Sequence, residues 1–429
     1  MIENQRTDLV VLGATGFTGR LMVARLTLLE QRARAAGEPF PSWAVAGRDA
    51  GRLAEVLQDL PATPEVISGV DVHDPESLAR LAARTRVLLN AVGPYTSTAE
   101  AVVAACVATG THYADLSGEL PLLRRVIDRY DDAARAAGCQ VVQLAGWEAL
   151  PPDVTALHAC RLAAGAEPGA WGPGASAPVH TLDVTVRFLE QPQVSGAVSA
   201  GTLGSIVEIF SDPAARVVGD PAGLLPRGAG DQAVRAASPL HVRPFVRAGR
   251  LVGPLVPVAF LKPPGLHRTA ALLAQENGAA YAPASYREGV DHGPVRVLGV
   301  PGQLLAAAGQ RGIAVAARLP LTVRRRLAAL VRTRLPSAGT GPSPAALDGW
   351  RWTVTAEAEA ADGRRGTATM SGTGHPGYTA TAAMLVALGL HLTDLDRTPL
   401  VAGAVTPAVA FGPAVSPHLD TPELSLRVG

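Results

Sequence analysis

Leu9-Val10-Val11-Leu12-Gly13-Ala14-Thr15-Gly16-Phe17-Thr18-Gly19 is the stretch whose reading decides the fold. Four apolar, β-prone residues run directly into three glycines spaced G-x-x-G-x-x-G. From Arg20 to Leu29 the apolar positions then take a helical period, with Leu21, Met22, Ala24, Leu28 and Leu29 on one stripe. Strand, glycine turn and helix in this order form a nucleotide site. One glycine bends sharply, a second lets backbone approach a pyrophosphate, and a third lets the helix pack closely. Phosphates would sit at the helix N-terminus, where unpaired N–H groups and the helix dipole favour negative charge. The alternative is a plain βα turn.

Working outward, Trp43 to Gly47 reads as the second strand and ends on Arg48, where NAD binders usually carry a carboxylate for the ribose hydroxyls. A cation there suits the 2′-phosphate of NADPH, with Arg52 one turn on as a second donor fork. Asp49 is the competing feature, as a ribose acceptor. Further strands are expected at Glu65 to Val72, Arg86 to Val92, His112 to Leu116 and Gln140 to Ala145, with helices at Pro75 to Ala83, Ala99 to Thr109 and Leu120 to Ala137. Alternation of this kind predicts an α/β fold, a Rossmann doubly wound parallel sheet whose ligands bind beyond the strand carboxyl ends. The segments to watch are Asp71-Val72, Gly93-Pro94-Tyr95, Ser117-Gly118-Glu119 and Gly146-Trp147-Glu148.

Beyond Val154 the pattern changes. Thr181 to Leu189 and Trp350 to Ala360 alternate apolar and polar residues, and Gly363 turns the latter toward a partner strand at Arg365 to Ser371. A second α+β domain built on a mixed, largely antiparallel sheet is expected. Residues 212–302, rich in proline and glycine, give no assignment. The expected division is 1–153 for the nucleotide domain and 154–374 for the substrate domain, with Tyr378 to Leu392 a strongly apolar helix beyond it. Arg318 to Leu335 is a basic amphipathic helix, read first as a solvated face and second as a contact for a membrane or a carrier protein.

Bulk numbers narrow the function. The 429 residues exceed one ordinary core, and 48% apolar with 17% charged residues is a globular composition. A net charge of +1 argues against a nucleic-acid partner. Cys106, Cys139 and Cys160 form neither a disulfide framework nor a zinc motif, no histidine pair has metal-ligand spacing, and no G-x-S-x-G elbow occurs. No metal is expected. A polar N-terminus and the lack of about 18 uninterrupted apolar residues point to a cytoplasmic protein without a spanning helix. Lys262 is the only lysine beside 37 arginines, which reads as compositional bias and excludes a Y-x-x-x-K proton relay.

The chain resembles the saccharopine dehydrogenase-like oxidoreductases, and within them the trans-acting enoyl reductase branch. The resemblance rests on residues 13–19, Ala46-Gly47-Arg48, Asn90 to Tyr95, Gly110 to Asp115, Gly118-Glu119, Gly146 to Asp153, Ser199 to Thr202, His375 to Tyr378 and Ala404 to Ala408. It implies that a C-terminal helix within about 375–429 returns to complete the nucleotide domain, and it implies NADPH contacts from Gly13, Thr15, Gly16, Phe17, Arg48, Gly93 and Pro94. Thr18, Asp71 and Tyr95, at the same turn and strand ends, complete the expected cofactor set. The family usually has Asp where this chain has His375, and Phe-Asp-Ser-Ile where it has Trp147-Glu148-Ala149-Leu150. Trp147, Glu148, Thr202, His375 and Tyr378 are therefore the substrate candidates.

Reduction of a conjugated C=C bond in a polyketide-like or lipid-like small molecule, free or carrier-bound, is the first expectation. Imine reduction and a non-catalytic NADP-binding module are the alternatives. Tyr95 is the expected donor to the carbonyl oxygen, with Asp115 and Glu119 as proton relay or substrate anchor. Their structural counterparts are a ring packed over the cofactor for Tyr95 and cap or turn roles for the two acids. A homodimer is the expected assembly.

Overall fold

A computed structural model describes residues 6–58, 60–167, 169, 177–192, 200–226, 230–238, 243–255, 259–278, 281–296, 299–332, 342–394 and 401–429. The first half alternates strictly: β1 (Thr7–Leu12), α1 (Phe17–Ala36), β2 (Trp43–Ala46), α2 (Ala50–Leu57), β3 (Glu65–Ile67), α3 (Pro75–Ala83), β4 (Thr85–Asn90), α4 (Tyr95–Thr109), β5 (His112–Asp115), α5 (Leu120–Ala137), β6 (Gln140–Val142) and α6 (Leu150–Ala164). Strands buried on both faces need no alternation, and Leu9, Val10, Val11 and Leu12 are all buried. The third strand stops at Ile67, short of the expected Val72. Gly69 takes φ +73° and turns the chain, so Asp71 lies in a loop whose backbone runs back along Gly47 and Arg48.

The second half contains β7 (Val179–Glu190), α7 (Ala200–Ser211), α8 (Asp231–Ala237), β8 (Phe245–Arg247), β9 (Arg250–Gly253), α9 (Lys262–Asn277), β10 (Ser285–Pro294), α10 (Gly299–Ala316), α11 (Leu321–Arg332), α12 (Pro344–Leu347), β11 (Arg351–Ala360) and β12 (Arg365–Thr373). The chain closes with α13 (Thr381–Leu392), β13 (Gly403–Val405), α14 (Pro407–Phe411), β14 (Asp420–Thr421) and β15 (Leu424–Val428). Among the described residues, the stretch 212–302, unassigned from sequence, thus supplies three strands, the whole of α8 and α9 and the first turn of α10.

Two sheets result. The first has the order β13-β6-β5-β4-β1-β2-β3, and every pairing in it is parallel. The second has the order β14-β15-β12-β11-β7-β10-β9-β8, antiparallel except for β7 with β10. The α/β class with a second, largely antiparallel sheet is as the sequence implied.

The expected boundaries need two corrections. Helix α6 runs unbroken across residue 153, because Pro151 and Pro152 sit in its first turn, where a missing N–H costs nothing. It packs on β11 and β12 of the second sheet. The C-terminal segment also divides. Helix α13 packs on α1 and β13 extends the first sheet beside β6, whereas β15 pairs with β12 in the second. Asp153 joins these parts by accepting the Ala408 N–H at 2.9 Å, so the motifs at residues 146–153 and 404–408 meet in space.

Candidate functional site

At the carboxyl end of β1, Gly13 takes φ +88°, and a Cβ there would lie 2.7 Å from Val92 Cγ2. Gly16 is the N-cap of the 20-residue helix α1 and supplies no capping side chain. Gly19 has the tightest surroundings. A Cβ on it would fall 2.2 Å from the Gly13 carbonyl oxygen, so helix and turn touch backbone to backbone. Thr15, Gly16, Phe17 and Thr18 are half-exposed around this turn, which leaves the dipole end of α1 open to an anion.

Arg48, just past β2, is exposed and has no side-chain partner among the described residues. Asp49 caps α2, accepting the Arg52 N–H at 3.0 Å, which gives it a structural role at that helix end. Asp71 accepts the His73 N–H at 2.9 Å within its own loop. Gly93 and Pro94, joined by a cis peptide, are exposed beyond β4, and a Cβ on Gly93 would meet nothing within 4 Å. An uncapped helix end, an unpaired arginine at the β2 end and open space at the β4 end fit NADPH. Arg48→Ala should weaken NADPH binding by about 1 to 3 kcal/mol and leave NADH unchanged. Paired titrations of the two cofactors check this, and equal losses would remove Arg48 from the 2′-phosphate.

The three residues expected to do chemistry are placed otherwise. Glu119, at 1% exposure, caps α4 from the neighbouring loop. Its carboxylate accepts the N–H of Tyr95 and of Thr96 together with the hydroxyls of Thr96 and Ser205. Pro94, the N-cap of that helix, has no side chain able to do this. Asp115 is fully buried. It accepts the Tyr113 hydroxyl at 2.7 Å and the Ser117 N–H at 2.9 Å, and Tyr113 in turn accepts the Asn90 amide at 3.0 Å. Burial pushes the Asp115 carboxyl up to about 7 despite these donors. Tyr95 donates its hydroxyl to the Asn90 carbonyl at 3.2 Å, and burial beside Asp115 and Glu119 raises its pKa well above the ordinary phenol value. The three polar groups are engaged by the loops after β4 and β5, at the strand ends that form the floor of the candidate cleft.

A second wall crosses from the nucleotide turn to the other sheet as a chain of rings. Phe17 meets Tyr378 edge-on at 5.3 Å, Tyr378 lies 4.9 Å from His375, and His375 lies 4.7 Å from Trp350. Phe188 then connects Trp350 to Trp147, which it stacks at 5.7 Å and 26°. The sequence-selected residues Trp147, His375 and Tyr378 therefore belong to one wall. Trp147 is fixed through its backbone N–H, donated to Thr381 Oγ1 at 3.0 Å. Leu144 bends the entry to this segment with φ +62°, a costly conformation for a side chain of its shape. Thr202 falls in α7, and its side chain lies outside the described residues.

Among the described residues, two buried donors of this wall have no hydrogen-bond partner, Trp147 Nε1 and His375 Nε2. Buried polar atoms are ordinarily satisfied, so the two mark where a ligand's acceptors belong. His375 is the sharpest case. Its Nδ1 accepts the Gly377 N–H at 3.1 Å, and burial lowers its pKa. A neutral ring accepting at Nδ1 carries its proton on Nε2, a donor without an acceptor.

Lys262, which the sequence reads as compositional bias, has a defined place in the structure. It opens α9 at 3% exposure, with Nζ 3.8 Å from Glu288 Oε1, and its charge also reaches Glu148. Leu261 abuts Gly118 after β5, and Gly265 abuts Leu144 after β6. The amine thus stands where the first sheet's strand ends meet the second sheet. Its rarity was the available signal, since it is the only lysine beside 37 arginines. Glu148 is half-buried, and burial raises its pKa while Lys262 pulls it down.

Residues 9–142 match the family model of the saccharopine dehydrogenase NADP binding domain. A protein of Mycobacterium tuberculosis (strain ATCC 25618 / H37Rv), provisionally named a trans-acting enoyl reductase, is 32% identical over 98% of this chain and 97% of its own length. The trans-acting enoyl reductase of Mycobacterium leprae (strain TN) is 31% identical, covering 98% and 97%. Among solved structures, the apo saccharopine dehydrogenase (L-Glu forming) of Saccharomyces cerevisiae aligns over 99% of this chain and 100% of its own, at 15% identity and a TM-score of 0.49.

Proposed function

Because the chain belongs to the trans-acting enoyl reductase branch of the saccharopine dehydrogenase-like oxidoreductases and is an NADP(H)-dependent enzyme, we propose that it reduces the conjugated C=C bond of an apolar acyl substrate. The observation that carries this reading is the unpartnered Nε2–H of His375 in an aromatic wall that reaches Phe17 of the nucleotide turn. Bound at that turn by Gly13, Thr15, Gly16, Phe17, Thr18, Arg48, Gly93 and Pro94, NADPH supplies a hydride. Hydride addition at the β-carbon of an enoyl group drives negative charge onto the carbonyl oxygen. His375 Nε2–H donates to that oxygen, as a neutral donor that holds its proton across the physiological range. Trp147, Phe188, Trp350 and Tyr378 exclude water and hold the acyl chain by apolar contact.

The proton that completes the reduction at the α-carbon comes from Glu148, whose buried carboxyl stays protonated more readily than an exposed one. Lys262 is a positioning residue that sets how readily Glu148 releases that proton. Removing its charge raises the Glu148 pKa, so the acid stays protonated to higher pH. In Lys262→Met the alkaline limb of the kcat profile should therefore move to higher pH, and Lys262→Arg should restore part of the original position. A profile that keeps its place in Lys262→Met would separate the two residues.

Imine reduction would use a carboxylate against an iminium. Asp115 does not serve, because both its oxygens are engaged beneath the cleft. The test is product analysis of the purified full chain with NADPH and a panel of α,β-unsaturated acyl thioesters beside cyclic imines. A saturated acyl product supports the proposal, and amine formation with untouched thioesters would replace it.

A further inference from the structure

Helices α10 and α11 carry a surface unlike the rest of the molecule. Of the 15 large apolar side chains exposed among the described residues, eight fall between Leu304 and Val331. Helix α10 buries Ala307, Gln310 and Ala314 on its inner face. Beside that face Leu304 and Val315 are exposed, Leu305, at 75% exposure, lies on the opposite side, and Leu319 is exposed just past the helix end. The outward side of a surface helix is normally polar, and this one is apolar on both sides. Helix α11 is anchored from behind by Arg324, which donates to the carbonyls of Leu319, Phe210 and Asp212. Its exposed stripe of Val323, Leu327 and Val331 repeats every fourth residue.

The charge around these stripes is one-signed. Residues 292–347 hold eight arginines and no aspartate or glutamate, in a chain whose net charge is +1. Elsewhere arginines commonly face a carboxylate, as Arg25 and Arg32 face Glu423. Arg311, Arg318, Arg325 and Arg326 are exposed, and none has an ion-pair partner among the described residues.

We propose that the α10–α11 surface docks on an anionic lipid bilayer, with its aliphatic side chains in the headgroup–acyl boundary and its arginines on lipid phosphates. Unpaired arginines beside an outward aliphatic face match a surface that is apolar within and anionic at its rim. An acyl-carrier domain would offer the charge but would leave the apolar faces of two successive helices without a hydrocarbon phase. The placement also suits the site. Helix α11 packs on α7, and α7 contributes Ser205 to the Glu119 carboxylate that caps α4 at the cleft floor. Docking would thus bring the cleft within one helix of the bilayer. The docking itself stands apart from the proposed reaction.

The test is flotation of the full chain with phosphatidylcholine vesicles, with and without phosphatidylglycerol. Binding should require the anionic lipid and fall at least tenfold between low and high salt. It should also fall at least tenfold in Leu305→Ser/Val315→Ser and in Arg311→Gln/Arg325→Gln/Arg326→Gln, while NADPH affinity, which reports the fold, stays unchanged. Vesicle binding that ignores both variants would overturn the proposal. So would capture by an isolated acyl-carrier domain without vesicle binding, or loss of a dimer in Leu305→Ser/Val315→Ser by a chain that never floats.

Discussion

Gly19→Ala should weaken NADPH binding by at least about tenfold while leaving a folded chain of reduced stability. The added methyl would lie 2.2 Å from the Gly13 carbonyl oxygen and 2.9 Å from Ala14 Cα, and backbone cannot swing aside as a long side chain can. Either α1 lifts off the turn or the turn opens. Overpacking of this kind costs about 1 to 3 kcal/mol of stability. The displaced N–H groups at the α1 end then fail to meet a pyrophosphate, at a cost of at least about tenfold in affinity. Gly37→Ala is the matched control. Gly37 also ends in α1, at φ +70°, but its Cβ would meet nothing within 4 Å. That variant should lose about 1 kcal/mol of stability and bind NADPH normally. Thermal melts with parallel cofactor titrations separate the two, and normal NADPH affinity in Gly19→Ala would refute the account of the turn.

His375→Leu should lower kcat/KM for an enoyl substrate by about 100- to 1000-fold, the range for removing one preorganised donor from a developing oxyanion. NADPH affinity should stay within twofold, because the ring reaches the nucleotide turn only through Tyr378. A fall in activity could also follow from a disturbed turn, since His375 Nδ1 holds the Gly377 N–H. His375→Asn resolves this. An asparagine oxygen can accept the same N–H two residues on, but its amide does not reach the place of Nε2. If His375→Asn is as inactive as His375→Leu yet melts like the parent protein, the donor role stands. If it recovers full activity, His375 is a turn residue and the oxyanion donor lies elsewhere.

The parts of this molecule that were legible in the sequence are those governed by local rules. The glycine turn, the buried strands and the alternation of β and α elements depend on residues within a few positions of each other. So do the alternating strands β7, β11 and β12. The proline-rich start of α9, Lys262-Pro263-Pro264, reads as loop, although proline is well accepted in a first helical turn. The closing strand Leu424–Val428 lies within the 375–429 segment expected to return to the nucleotide domain, yet it pairs with β12 in the second sheet, a partner more than 50 residues away that local pattern does not reveal.

In the site, ring residues were found because they stood near glycine and proline turns at strand ends. The roles of Asp115 and Glu119 were not legible. Glu119 caps a helix that begins 24 residues earlier, and only the packed structure brings those ends together. The same reason hid Lys262, whose meaning depends on Glu148 and Glu288, more than a hundred residues before it and 26 after it. A charged residue's role in a core is decided by what faces it, and the chain order does not record that.

The most direct test of the central claim follows the hydride itself. The purified chain is given NADPH deuterated at nicotinamide C4, together with equal amounts of an α,β-unsaturated acyl thioester and a cyclic imine, and the products are located by NMR. Deuterium on the β-carbon of a saturated thioester is the predicted result; deuterium on the carbon bound to nitrogen, with the thioester unchanged, would contradict it.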